Sequence, residues 1–483
     1  MHSRRQFLTA AGLGLSGLML PLFFRCSPRK RINFIFILVD DWGWTDAGCY
    51  GSDLYETPNI DQLAAEGVRF TNGYAACTVC SPTRASLLTG KYPARLHVTD
   101  WIEGHPYPHA RLKVPEWTKR LDHREVTIAE ALRSAGYATA HIGKWHLGKA
   151  SHYPETQGFD VNIGGTHKGQ PPTYFYPYQG ENAWSVSLTA LTDGREGEYL
   201  TDREAEEACR FIEQHRDDPF YINLSHYAVH APLQAKPDLI EKYGRKISPH
   251  LRHQNKTYAA MIQSVDESLG TIRSKLSELN LLENTVIFFT GDNGGLTDRD
   301  WLEKPVTDNS PLREGKGSAY EGGVRVPAII RHPEYLKGAV SSEPIITCDY
   351  YPTILEMAGV RGNFEHNKQV DGVSLLPLLK NPSTRLSRDA IYWHYPHYHP
   401  GGATPYGAIR MHDYKLIEFY EDGRLELYNL CTDVGEKKNL VRKFPEIAVR
   451  MHEKMKAWRE SVGAQMPSLN PQYDPEKNRP EVD

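Results

Sequence analysis

The chain has 483 residues, long enough for one large domain and a smaller one, each with its own core. Its 56 Lys and Arg against 60 Asp and Glu leave a net charge of -4, which excludes the strongly basic surface of a nucleic-acid binder. Seven scattered cysteines, an odd number, exclude a disulfide framework.

Residues 1–30 read as an export signal. Ser3-Arg4-Arg5-Gln6-Phe7-Leu8 is a twin-arginine pattern, and an apolar run from Leu8 to Phe24 follows it. Export to the periplasm or medium is the expectation, with an uncleaved N-terminal anchor as the alternative. Arg25 stands where a lipobox before Cys26 would need a small residue.

Ile32 to Val39 is a continuous apolar run, as in a buried strand of a parallel sheet, and it ends in Asp40-Asp41. Carboxylates at a strand's C-terminal end sit where α/β sheets place ligands; an exposed turn is the equal alternative. Thr57 to Gly67 predicts a short helix with Thr57 as N-cap, Pro58 at the first position and Gly67 as the stop. In Cys77-Thr-Val-Cys80-Ser-Pro82-Thr-Arg84, Pro82 suits a first helical position, with the helix running through Arg84 to Leu88. Cys80 then stands at a helix N-terminus beside an arginine, placed for chemistry on an anion. The Cys77-x-x-Cys80 spacing also fits a redox pair or half a zinc site, but no second such pair exists.

Glu125 to Ala135 predicts a helix and Tyr137 to Ile142 a strand, followed by Gly143-Lys144-Trp145-His146 in a Gly-flanked loop. Residues 151–190 read as one long loop, which in a compact domain is usually functional or disordered. A helix over Thr201 to Arg216 precedes a strand over Phe220 to Leu224, then Ser225-His226 and His230-Ala-Pro232. Apolar residues from Ile262 to Leu279 recur at steps of three and four, so Tyr258 to Leu279 is a helix. The strand Thr285 to Phe289 runs into Gly291-Asp292-Asn293-Gly294, again hard oxygen donors after a strand. Leu312 to Pro327 reads as a glycine-dense loop carrying Lys316, and Asp349 to Ala358 as a helix.

Strand–helix alternation to about residue 380 predicts an α/β catalytic domain over 31–380 with a large, mostly parallel sheet between helices. Beyond Asn381-Pro382, short strand-like runs and a hairpin turn at Glu421-Asp422-Gly423 predict a smaller α+β domain over 381–483 with an antiparallel sheet. A helix from Phe444 to Val462 closes it. His394, His397 and His399 stay open to three readings: sugar contact across the domain interface, ordinary surface residues, or a weak metal patch.

Taken together these stretches resemble one family. Cys80-Ser-Pro82-Thr-Arg84 with Leu88-Thr-Gly90 is similar to the signature of the formylglycine-dependent sulfatases of the alkaline-phosphatase-like superfamily. The likeness continues in the family's order through Asp40-Asp41, Thr57-Pro58, Gly143-Lys144-Trp145-His146, His230-Ala-Pro232, Gly291-Asp292-Asn293-Gly294, Gly315-Lys316-Gly317 and Tyr414-Lys-Leu, over roughly residues 33 to 460. The resemblance implies a sulfuric ester hydrolase in which a separate maturation enzyme oxidises Cys80 to formylglycine. Asp40, Asp41, Asp292 and Asn293, with the matured Cys80, would hold a divalent cation, usually calcium in this family and less so magnesium. Lys144 and Lys316 would bind the sulfate, Arg84 would hold the formylglycine and metal side, and His146 would help remove a hydroxyl proton. His230 would be the general acid, with His226 as rival. The substrate implied is a small-molecule or oligosaccharide sulfate ester. The competing readings are a phosphatase, phosphodiesterase or phosphonate hydrolase of the superfamily, and a non-catalytic glycan-binding relative.

Overall fold

The computed structural model describes residues 31–297 and 305–480; the export segment expected over 1–30 lies outside them. The apolar run at the start forms β1 (Asn33–Val39), buried along its whole length. Its odd residues Ile35, Ile37 and Val39 enter one core and its even residues Phe34, Phe36 and Leu38 another. A strand with two buried faces needs helices on both sides. The first face is covered by α1 (Pro58–Glu66), α4 (Leu200–Gln214) and α5 (Lys256–Glu278), the second by α2 (Cys80–Thr89), α3 (Ile128–Ser134) and α6 (Tyr350–Ala358).

The sheet has nine strands, the others being β2 (Val68–Tyr74), β3 (Ala138–Gly143), β4 (Val161–Ile163), β5 (Phe220–His226), β6 (Thr285–Gly291), β7 (Arg325–Arg331), β8 (Ala339–Ser341) and β9 (Ile345–Ile346). The order is β9-β2-β7-β6-β1-β5-β3-β4, with β8 also beside β2. All pairings are parallel except those of β7, which runs antiparallel to both β2 and β6. The sheet is therefore mixed and mostly parallel, as expected.

Four local differences from the sequence reading have physical causes. The helix bearing Cys80 starts at Cys80 itself, with Val79 as N-cap, so Pro82 is its third residue rather than its first. A proline is tolerated there because none of the first four N–H groups has an intrahelical acceptor. Glu125 to Thr127 is not helix: Thr127 caps α3 in a reciprocal box with Glu130, which moves the start to Ile128. The loop over 151–190 includes the short edge strand β4. The glycine-dense stretch ends earlier than Pro327, because Arg325 to Arg331 is β7. Its proline falls where the pairing with β2 shifts register between Phe70 and Gly73, an interruption that spares it a ladder bond.

A second, four-stranded antiparallel sheet follows, made of β10 (Ile391–Tyr395), β11 (Tyr406–Met411), β12 (Tyr414–Phe419) and β13 (Leu425–Asn429) in that order. One face carries Ile409, Leu416 and Leu427 under Ala448, Met451 and Met455 of α7 (Pro445–Ser461). The other face packs Trp393, Tyr395, Tyr406 and Ile417 against Tyr74, Cys77 and Val79. The small sheet thus buttresses the turn that delivers Cys80, and Trp393 Nε1 donates to the Ala75 carbonyl at 2.9 Å. Among the described residues no helix is long and apolar enough to cross a membrane.

Candidate active site

Neighbouring parallel strands in register end at one level. Val39 pairs with Gly291 on one side and His226 on the other, and Gly143 pairs with Ser225. The residues that follow β1, β6 and β3 therefore emerge side by side: Asp40 and Asp41, Asp292 and Asn293, Lys144 and His146. His230 comes from the turn after β5. This is the edge where open α/β sheets bind ligands.

Cys80, at the first position of α2, closes the pocket from the second face. Its Sγ lies 3.3 Å from His146 Nδ1. His146 Nε2 lies against the Ile102 carbonyl, which can only accept, so Nε2 carries the proton and Nδ1 accepts from the thiol. Burial pushes the Cys80 thiol pKa up; Lys144 and Lys316 pull it down while Asp40 and Asp292 push it further up. The unmodified side chain is thus a protonated thiol and not the thiolate a cysteine nucleophile needs. His146 is held neutral, by burial first and then by Lys144.

The acids and bases pair off. Arg84 grips Asp292 Oδ2 through Nε at 3.0 Å and a terminal nitrogen at 2.7 Å. Its other terminal nitrogen donates to the Lys144 carbonyl at 2.9 Å and to Ser225 Oγ. Lys144 Nζ donates to Asp40 Oδ2, and Lys316 Nζ lies 2.6 Å from Asp41 Oδ1. Asp41 adopts the left-handed backbone region (φ 58°), as does His146 (φ 57°), at about 1–3 kcal/mol each. In that conformation the Asp41 N–H donates to Asp292 Oδ1 at 3.2 Å, and Asn293 Nδ2 donates to Asp41 Oδ1 at 2.8 Å. Burial, then the like charge of Asp40, raises Asp292 to about 6. Burial also acts against ionised Asp41, but Lys316 and His230 hold it well below the usual carboxylate range.

Two buried oxygens in this cluster have no partner, Asp40 Oδ1 and Asn293 Oδ1. Unsatisfied buried acceptors are costly and point to a missing donor or cation. Asp40, Asp41 and His230 also bring one ligand atom each within 4.8 Å of one another. Hard carboxylate and amide oxygens are the donor set of calcium or magnesium rather than zinc, so the residues present fit such an ion. His230 Nδ1 lies 2.9 Å from the Ala231 carbonyl, leaving Nε2 facing Asp41 Oδ2 at 3.7 Å. Burial, and then Lys316, lowers His230 to about 3.

The rival histidine is elsewhere. His226 is fully buried, 2.6 Å from Glu204 Oε2 on α4 and 3.0 Å from Ser268 on α5. His394 and His397 are also buried, against Tyr420 and the Gln465 carbonyl and against Thr99 respectively; they brace the small sheet and line no surface. His399 differs, since its ring fills the space where a Cβ on Gly317 would stand, beside Lys316. Cys77 is a buried small residue, as expected. Sequence reading missed Ser225 as an Arg84 partner, the Ile102 carbonyl on His146, and Gly169, whose missing Cβ lets its loop lie on the His146 ring. A glycine within a tyrosine-rich loop was the one visible signal among them.

The "Sulfatase" family model matches residues 32–360, and a second, described as "N-sulphoglucosamine sulphohydrolase, C-terminal", matches residues 315–461. A sulfatase of Formosa agariphila is 30% identical, covering 92% of this chain and 92% of its own. The N-acetylgalactosamine-6-sulfatase of Sus scrofa is 32% identical over 80% of this chain and 71% of its own. The solved structure of Ps i-CgsB in complex with k-i-k-neocarrahexaose superposes with a TM-score of 0.72 at 30% identity, covering 92% of this chain and 95% of that one.

Proposed function

Because the chain belongs to the sulfatase family and is a sulfuric ester hydrolase, we propose that it desulfates an exported-compartment carbohydrate sulfate through a formylglycine at position 80. The observation that carries this reading is a buried Cys80 whose Sγ lies 3.3 Å from His146 Nδ1, beside the paired acids and lysines at the strand ends.

A separate maturation enzyme, which supplies the oxidant, breaks the Cys80 C–S bond and converts the side chain to an aldehyde, which hydrates to a geminal diol. Asp40, Asp41, Asp292 and Asn293 would hold a divalent cation, calcium by preference, which would supply positive charge to offset that of the sulfate oxygens. Lys144 and Lys316 exchange their carboxylate partners for the sulfate oxygens. One hydroxyl at position 80 gives its proton to the neighbouring Asp292 carboxylate and attacks sulfur, and the S–O bond to the sugar breaks. His230 protonates the leaving oxygen. Burial is the first cause of the low His230 pKa; Lys316 and Lys144 add to it, and a sulfate group between them offsets that added charge and favours the protonated ring. His146 Nδ1, facing position 80 with its other nitrogen pinned by Ile102, accepts the proton of the second hydroxyl. The C–O bond to sulfate then breaks and the aldehyde returns, so no water has to attack a charged ester.

A carbohydrate is favoured by the names of the relatives, which include an N-acetylgalactosamine-6-sulfatase and a neocarrahexaose complex. Export rests on the twin-arginine pattern alone. The test has two parts. The peptide spanning Cys80, from protein made in its native host, should carry the aldehyde mass. That protein should release sulfate from 4-nitrophenyl sulfate faster than phosphate from 4-nitrophenyl phosphate. A native thiol, or a preference for phosphate, overturns the reading.

A further inference from the structure

A group of rings runs from His146 outward to an exposed tryptophan, Trp184, and takes no part in the chemistry above. Trp101 packs on His146 at 6.4 Å between ring centroids. Trp184 packs on Trp101 at 5.6 Å, and His105 touches both, at 4.8 Å from Trp101 and 5.6 Å from Trp184. His105 also meets His399 at 6.4 Å, and the His399 ring packs on Gly317, next to Lys316 in sequence. Trp184 is 38% exposed, unusual for the largest apolar side chain. Among the described residues the His105 ring makes aromatic contacts but no hydrogen bond.

The Trp184 loop is a built element. Asn182 Oδ1 accepts from the Trp184 N–H at 2.8 Å, Lys168 Nζ donates to the Ala183 carbonyl at 2.6 Å, and Ser185 bridges to Gln170. The same loop is tied to the catalytic histidine, because His146 N donates to the Thr166 carbonyl at 3.0 Å and Gly169 lies against the imidazole. The position of Trp184 is therefore set from the same histidine that faces Cys80.

We propose that this cluster is a second sugar subsite, on which Trp184 stacks the pyranose next to the sulfated one, so that the enzyme acts on oligosaccharides in preference to monosaccharide sulfates. The assignment rests on the sulfatase reading above. Trp101 is one ring-packing step from His146 and Trp184 is two. The sulfated ring, bound through its ester at position 80, reaches Trp101 first, and the exposed indole of Trp184 meets the following ring. A pyranose has an apolar C–H face and a polar rim. An open indole beside an imidazole with unused nitrogens offers both matching contacts in one place. An alkyl chain or a sterol would leave those nitrogens unpaired.

The test compares wild type, Trp184→Ala and Trp184→Phe on three probes. These are sulfated oligosaccharides prepared from carrageenan and from chondroitin sulfate, the corresponding monosaccharide sulfates, and inorganic sulfate as an inhibitor of 4-nitrophenyl sulfate turnover. Trp184→Ala should raise KM for the oligosaccharide about tenfold, and Trp184→Phe should recover most of the loss. KM for the monosaccharide and the inhibition constant of inorganic sulfate should each change less than twofold. A wild type with no advantage for oligosaccharide over monosaccharide overturns the subsite, as does an equal penalty on all three probes. Turnover of 4-nitrophenyl sulfate with no turnover of any saccharide also overturns it and leaves the sulfatase reading standing. Failure on every sulfate ester overturns that reading instead.

Discussion

Arg84 and Asp292 form the buried pair on which the site's electrostatics turn, and a double-mutant cycle measures it. Their side chains are 3% and 0% exposed, joined by two bonds at 3.0 and 2.7 Å. In Arg84→Met, Asp292 keeps one hydrogen bond, from the Asp41 N–H, and the attraction of Lys144, and faces the like charges of Asp40 and Asp41. Breaking a buried pair from one side costs about 3–5 kcal/mol, because an uncompensated charge stays behind. In Asp292→Asn, Arg84 keeps Lys144 O, Ser225 Oγ and Asp40, whose Oδ2 is 3.7 Å away. That variant loses less, about 1–3 kcal/mol, in line with a single charged hydrogen bond. Arg84→Met with Asp292→Asn removes both charges and should cost clearly less than the two losses together, with a coupling of about 2 kcal/mol, or roughly thirtyfold in the folding equilibrium. Urea unfolding of all four proteins in EDTA provides the numbers, since a bound cation would compensate Asp292 and mask the effect. Additivity within about 0.5 kcal/mol would refute the view that Arg84 exists to neutralise Asp292.

Other outcomes follow from the same geometry. Cys80→Ala should abolish sulfate release while circular dichroism stays that of wild type; retained turnover sinks the formylglycine assignment. Stripping divalent ions should stop turnover, and calcium at a hundred times its Kd should stabilise the protein by about 2.7 kcal/mol; an unchanged melting curve counts against the cation. His230→Ala should lower kcat about 10²–10⁴-fold and make it more sensitive to leaving-group pKa, whereas His226→Phe should cost about 1–3 kcal/mol of stability by orphaning Glu204, with leaving-group sensitivity unaltered. Burial raises Asp100 to about 7, against the hydrogen bond from Tyr395 and the Trp101 N–H. A raised folded pKa stabilises fully below the unfolded value near 3.8 and is lost as pH climbs through 7. Wild type should therefore lose more stability than Asp100→Asn between pH 5 and pH 8, and parallel pH profiles would contradict this.

What could be read from the chain and what could not divide along the sheet. Asp40, Asp292 and Lys144 each follow a strand, and the parallel register of Val39 with Gly291 and His226 makes such residues converge however far apart they lie in sequence. Strand, then chemistry, then glycine is a local signal, so these residues were legible one at a time. His226 shows where that rule stops. It too ends a strand, but alternation along β5 points it toward Glu204, a partner on another element that no local pattern announces. The His394 and His397 pair misleads for the same reason, since the side of the small sheet that faces α2 is set by packing against Val79 and Cys77 and by no feature of its own strands. The Arg325 to Arg331 strand was hidden by its glycine-rich approach and its proline, which a register shift excuses.

The parts that stayed hidden are those that arrive from the side. Ile102 and Trp101 reach His146 on a loop, through a backbone carbonyl and a ring, and Trp184 packs on Trp101 from another; none of them leaves a spacing to find. The strand ends, with Lys316 from the glycine-dense loop and Cys80 at the start of α2, bring together the acids, lysines and buried thiol that a sulfate ester would meet. They cannot distinguish one alcohol from another, because they meet only the sulfate. The side-arriving loops meet the rest of the substrate. Selectivity should accordingly follow residues 99–105 and 166–185 and ignore the strand ends. Exchange of those two loops with the corresponding ones of a relative should move substrate preference while the inhibition constant of inorganic sulfate stays within twofold. If that constant shifts together with preference, sulfate recognition and sugar recognition are not separable in this fold.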